Sequence, residues 1–229
     1  MVTIQPLSQL GARRIHDTVG DTWVMPLGAE QLPPACTWFG FISAGPCTLE
    51  HRGRRADLAA GMYFGLPDVD EQTRFHGGQG LLIGRVDYAG LFSIGGPIDA
   101  SGGRLRYIDG CTDTLLIGPP LRGDPCLNYL HIPPGTRQTL HSHPTSRVGL
   151  IAFGSGRCLT PAGEQRLRPG DCFVIEAGGA HCFHTNGSAM GVIAYHPDSD
   201  TGPDHQDHPM VNRTYVGDVS ARDLPDIQT

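Results

Sequence analysis

The sequence contains no lysine: all 17 basic residues among its 229 are arginine. That excludes Schiff-base lysine chemistry, pyridoxal-phosphate attachment and the lysine of a phosphate-binding P-loop. Charge is scarce in general, at 17% of residues, and the balance is −6 with a pI near 5.9. Nucleic acid is therefore not an expected partner. No apolar run approaches the ~18 residues of a membrane span, and the N-terminus lacks the apolar stretch of a signal peptide, so no membrane partner is expected. The seven cysteines form no C-x-x-C pair. An odd count without such pairs argues against a disulfide framework and for a reducing cytoplasm, with each cysteine a small buried hydrophobe. No G-x-S-x-G elbow, H-E-x-x-H helix or complete G-x-G-x-x-G loop occurs. The absence of lysine, together with abundant Arg, Gly and Asp, points by association to a high-GC bacterial source.

Glycine and proline are plentiful, with 32 and 19 residues. Turns must be frequent and elements short, which predicts an all-β chain. Short apolar runs recur between turn signals at Thr37–Ser43, Gly61–Leu66, Gly80–Val86, Thr114–Gly118, Leu127–Ile132, Val148–Phe153, Cys172–Ile175 and Met190–Tyr195. Their spacing reads as antiparallel strands of a sandwich or barrel. Helical turns are expected only in Ile4–Gly11 and the last dozen residues. A shift of 109 residues superimposes Gly40 on Gly149, Gly45 on Gly154, Leu58 on Leu167, Gly61 on Gly170 and Phe64 on Phe173, with Ile83 on Val192 as a near match. This repeat predicts two antiparallel β-barrel units in tandem, residues 1–100 and 101–229, with the Gly-rich stretch 95–103 as linker.

Chemistry concentrates in the second unit. His141 and His143 are separated by one residue, which on a strand places both imidazoles on one face. His181 follows a Pro169-Gly170-Asp171 turn and a further short strand. Gly135, His141, His143 and Gly154 match the first motif of the cupin superfamily. Gly163, Pro169, Gly170, Asp171, His181 and Asn186 follow a looser form of the second. The stretch 104–196 resembles a cupin well and 30–95 weakly, so the chain resembles a bicupin of two jelly-roll units. The first unit is degenerate, because Leu32, Pro34 and Gln72 stand at the offset positions of the three histidines.

The resemblance implies that His141, His143 and His181 bind a divalent metal: Fe(II) foremost, with Zn, Ni or Mn as alternatives. The family's glutamate is missing. With three residues after His143 its position falls on Arg147, with four on Val148. That departure points to the cupin dioxygenases that work with three His and no Glu. Arg147 is expected to grip a substrate carboxylate or enolate, since a guanidinium facing a dication needs an anion between them. Thr139 and Phe183, each two residues from a ligand, are candidate pocket residues, with a plain core role the default for Phe183, and Tyr195 is a candidate proton donor with a core role as its default. His184 is read as outward, and His76 as a lone structural histidine. His196, His205 and His208, beside four Asp residues, read as a solvated segment that could act as a lid. The expected function is a cupin dioxygenase acting on a small carboxylate or carbonyl compound. A non-redox isomerase, lyase or cyclase, and a metal-free small-molecule-binding cupin, are the alternatives. Exposed sheet edges make a homodimer a candidate assembly.

Overall fold

The computed structural model describes all residues except 30, 34–35, 205–207 and 228–229. Two large antiparallel sheets dominate. In order, one contains Ser93–Gly95, Tyr63–Leu66, Cys36–Ala44, Gln79–Val86, Thr22–Pro26 and Arg13–Ile15. The other contains Val2–Pro6, Asp171–Ile175, Arg147–Gly154, Met190–His196, Cys126–Ile132, Thr112–Ile117 and Leu105–Arg106. Each is backed by a three-stranded sheet: Arg54–Leu58, Cys47–His51 and Arg74–His76 behind the first, Gly163–Leu167, Gly156–Thr160 and Cys182–His184 behind the second. The chain is therefore two jelly-roll units.

Side-chain parity explains how the units are joined. In Cys36–Ala44 the even residues Trp38 and Ile42 enter the first unit's own core, while Phe39 and Phe41 enter a core shared with the second unit. In Met190–His196, Met190 and Val192 face the second unit's interior, while Ile193 and Tyr195 face the shared core. Strands buried on both faces read as continuous apolar runs, which is why these stood out in the sequence. The half-exposed outer strands, such as Arg54–Leu58 and Gly163–Leu167, alternate weakly and carry little apolar signal.

The repeat has a physical basis. Gly40 pairs with Phe64 and Gly149 with Phe173. In both units the phenylalanine ring lies over the glycine, where a Cβ would collide with it. Gly45 and Gly154 share a left-handed φ of 70° and 71°, and Gly61 and Gly170 share 85° and 86°. The Ile83–Val192 match is not structural. Phe39 pairs with Ile83, whereas its counterpart Val148 pairs with Tyr195, so three extra residues in the second unit shift the register there.

The helical turn expected within Ile4–Gly11 is present at Leu7–Gln9, and the residues before it, Val2–Pro6, form a strand. That strand pairs with Asp171–Ile175. A division at residue 100 thus does not account for the N-terminus, which completes the second unit's sheet. The last dozen residues do contain helical turns, Ala221–Asp223 and Pro225–Ile227. All seven cysteines are buried and none forms a disulfide. No described helix is long and apolar enough to cross a membrane.

Replacing Gly40 with Ala forces a Cβ into the Phe64 ring, and replacing Gly149 forces one into the Ile193 carbonyl as well as the Phe173 ring. Each variant is expected to lose about 1–3 kcal/mol of stability, the usual cost of overpacking. Denaturant unfolding measures it, and an unchanged midpoint in Gly40→Ala would show that the Phe64 ring can move aside.

Candidate metal centre

His141 and His143 do not lie on a strand, as their spacing suggested. They sit in the connection between Cys126–Ile132 and Arg147–Gly154. An isolated antiparallel bridge ties His141 to His181, with backbone bonds of 3.0 and 2.8 Å in the two directions. The carbonyl of His143 accepts the amide of Gly178 at 2.8 Å. These backbone contacts bring the three rings together, with centroids 4.6 to 5.3 Å apart. One ligand atom from each lies within 4.8 Å of the other two.

The tautomers follow from the acceptors. His141 Nδ1 lies 2.8 Å from the Thr139 carbonyl and His181 Nδ1 lies 2.9 Å from the Gly179 carbonyl. A carbonyl only accepts, so both Nδ1 atoms carry the proton and both Nε2 lone pairs are left for a ligand. Burial, followed by the Arg147 charge and the other two rings, pushes His143 down to about 3. Burial also pushes His181 down to about 4, partly offset by its bond to Gly179. Neutral imidazoles with free lone pairs on a fixed backbone suit a divalent first-row metal, and three of them leave coordination positions open. The donor set therefore fits the expected ion.

The histidines line one end of a cavity of about 60 Å³. Phe173, Phe183, Val192 and Ile175 form its apolar walls, and Arg147, His196, Asp113 and Tyr107 bring polar groups to it. Phe183 thus lines the pocket as well as packing on Phe173, with ring centroids 5.7 Å apart. Arg147 Nη1 donates to the Thr145 hydroxyl, the Thr145 carbonyl and the Ser146 carbonyl at 2.7, 3.2 and 2.8 Å. Its buried Nε has no partner. Among the described residues it has no ion-pair partner either. Desolvation lowers its pKa, with the nearby charges of Asp198 and Asp17 opposing.

Three expectations need correction. Tyr195 is fully buried in the shared core, 5.3 Å from Phe39 between ring centroids, because its strand turns odd residues away from the cavity. It cannot donate a proton in the cavity. Thr139 is exposed and bonded to Asp109 through its amide and hydroxyl, so its contribution is its carbonyl. Gln138 takes the inward position and accepts the Phe183 amide at 3.0 Å. His196 is not part of a solvated segment. It ends the Met190–His196 strand on the parity of Val192 and Ala194, lines the cavity, and lies 6.4 Å from His143 between ring centroids. That parity was the signal for it in the sequence. His205 lies outside the described residues, and His208 caps the turn Pro209–Asn212. His184 does not line the cavity, and His76 sits exposed beside Glu50.

The pairing registers also revise the first unit's counterparts. Leu49 pairs with Phe75 as Cys158 pairs with Phe183, so Thr73, not Gln72, occupies the place of His181. Leu32 carries no metal-binding group, and Pro34 lies outside the described residues. Trp38 stands where the second unit has Arg147, and Gly84, its pairing partner, stands where it has His196. The indole covers the space a Gly84 side chain would need.

Residues 128–194 match the family of the Cupin domain. That match lies within the second unit. Nearly the whole chain shares its fold with solved structures. One is a protein of Pseudomonas aeruginosa described as glyoxylate-induced, with a TM-score of 0.64, 12% identity and coverage of 89% of this chain and 91% of that one. Another is salicylate 1,2-dioxygenase from Pseudaminobacter salicylatoxidans, at 0.61 and 11%, covering 86% and 84%. A third is a Cupin 2 conserved barrel domain protein from Leptotrichia buccalis, at 0.56 and 11%, covering 82% and 88%. No curated protein sequence matches the chain.

The pH dependence follows from the buried histidines. Burial and Arg147 also push His196 down to about 3, so it joins His143 and His181 below the ordinary 6.5. Below that pH the unfolded chain binds protons that the folded one refuses. Stability is therefore expected to be complete above about 6.5 and to fall as the pH drops toward 4. His196→Gln should make that decline shallower in thermal melts across this window. An equal slope in the variant would show that His196 does not titrate as a buried neutral ring.

Proposed function

We propose that the protein is a metal-dependent enzyme acting on a small carboxylate or carbonyl compound, with iron(II) at the three histidines and a dioxygenation as its reaction. The observation that carries this reading is the sharing of one small cavity by three imidazoles and a half-buried arginine that has no ion pair among the described residues. When bound, the ion supplies Lewis acidity and, as iron(II), the one-electron chemistry that dioxygen needs. His141, His143 and His181 hold it. The Thr139 and Gly179 carbonyls fix two of the rings. Arg147 offers Nε and Nη2 to an anionic oxygen of the substrate. Phe173, Phe183 and Val192 exclude water.

A cavity of about 60 Å³ has room for a fragment of a few heavy atoms. An aliphatic acid or carbonyl compound enters directly, and an aromatic acid requires the walls to part. The fold neighbour salicylate 1,2-dioxygenase supports the oxygenase reading by analogy. A non-redox isomerase or lyase is the second reading, favoured by His196, a neutral imidazole in the cavity outside the ligand set.

Metal analysis of protein purified without nickel affinity should find near-stoichiometric iron, lost in His141→Ala. Dioxygen uptake with a panel of small 2-oxo acids, β-diketones and thiols then identifies the class. Turnover that persists without oxygen favours the isomerase or lyase, and protein that takes up no metal on reconstitution sinks both readings.

Arg147→Gln should raise KM for the anionic substrate about tenfold or more, the weight of one charge-assisted contact, with metal content unchanged. Unaltered kinetics would remove Arg147 from substrate binding.

A further inference from the structure

Arg147 is held in an unusual way for a buried cation. Its Nη1 contacts only the Thr145 and Ser146 backbone and the Thr145 hydroxyl. Two carboxylates grip that short segment from opposite ends of the chain. The Thr145 hydroxyl donates to Asp198 at 2.5 Å. The Ser146 amide donates to Asp17 at 2.6 Å, across 129 residues of sequence. Asp17 lies in the turn between Arg13–Ile15 and Thr22–Pro26, which are strands of the first unit's sheet. It is itself held by the Thr18 hydroxyl at 3.2 Å.

We propose that Asp17 is a positioning residue for Arg147, so that the first unit completes the anion-binding end of the cavity in the second. The proposal rests on the reading that Arg147 takes the anionic end of the substrate. Asp17 fixes the Thr145–Ser146 peptide, whose carbonyl, that of Thr145, accepts from Arg147 Nη1 at 3.2 Å. Its charge offsets the cation through one peptide, not by contact. A direct ion pair would occupy the donors that a ligand needs, and the indirect one leaves Nε and Nη2 free. Other contacts from the N-terminal segment support the same site. The Met1 carbonyl accepts the Glu176 amide at 2.9 Å, and the Met1 ammonium lies 3.2 Å from the Glu176 carboxylate. Glu176 opens the loop that leads to His181. The metal-free first unit thereby has a role at the metal centre.

The test uses full-length protein loaded with cobalt(II), whose visible bands report ligand binding, with pyruvate and azide as probes. Pyruvate has a carboxylate for Arg147, whereas azide needs only an open coordination position. Asp17→Ala is expected to weaken pyruvate about tenfold to a hundredfold, the usual cost of removing a supporting hydrogen bond. Cobalt stoichiometry and azide affinity should stay at wild-type values. The double variant Asp17→Ala with Arg147→Gln should be no weaker than Arg147→Gln alone, because both act through one guanidinium. Amide exchange at Ser146 should quicken in Asp17→Ala. Wild-type pyruvate affinity in Asp17→Ala beside a weakened Arg147→Gln overturns the positioning role and leaves the function intact. Wild-type pyruvate affinity in Arg147→Gln overturns the reading of Arg147 itself. Additive losses in the double variant, or loss of cobalt in Asp17→Ala, also overturn the proposal. If Asp17→Ala does not fold, Asp17→Asn, which keeps an acceptor oxygen and drops the charge, is measured instead: a loss of pyruvate affinity smaller than that of Arg147→Gln, with cobalt and azide binding intact, is expected, and no loss at all overturns the proposal.

Discussion

Burial on both faces of the two large sheets is the constraint on which the other features depend. Each sheet packs one face into its own jelly roll and the other against its partner sheet. A strand in that position has no face left for solvent, so polar residues on it must be satisfied internally or serve a site. Polar side chains such as Asn128 and His131 also stand on the second unit's strands, but Arg147, Asp113 and His196 converge on one cavity. Chemistry is thus marked here by where polar side chains meet.

The same constraint separates the two units. Their strands correspond, yet Trp38 and Gly84 stand in the first where Arg147 and His196 stand in the second. Trp38 is fully buried over Gly84 and fills the volume a cavity would need. Replacing a guanidinium with an indole converts a ligand site into packed core and adds buried apolar area. Freed from ligand binding, the first unit supplies a sheet to pack against and, through Asp17, a hydrogen bond to the other unit's loop.

Much of this was legible in the sequence, and the misses share a cause. Doubly buried strands announce themselves as apolar runs, and the glycines of the repeat mark turns and ring-stacking positions that both units need. The three histidines were legible because their motif specifies residue types at set distances. Thr139 was misjudged because inward direction was counted from a neighbour, and Tyr195 fills the core role that was its default. The connection bearing His141 is irregular, so counting by two fails at Thr139. On the strand ending at His196 the count puts Tyr195 outside and His196 inside, a parity visible only once Val192 is known to face the interior. The strand Val2–Pro6 was illegible for another reason: its partner lies about 170 residues away, and nothing local distinguishes it.

Arg147 remains the costly element of the design. A buried guanidinium beside three imidazoles loses its hydration and gains no ion pair in return. A dication at the histidines would raise the cost, since like charges repel more strongly where water is excluded. Asp17 and Asp198 relieve part of this through the Thr145–Ser146 segment, while the Arg147 Nε stays without a partner. An anion between metal and guanidinium removes the repulsion from both sides at once. The anionic substrate proposed above would supply that charge and so complete the balance of the cavity.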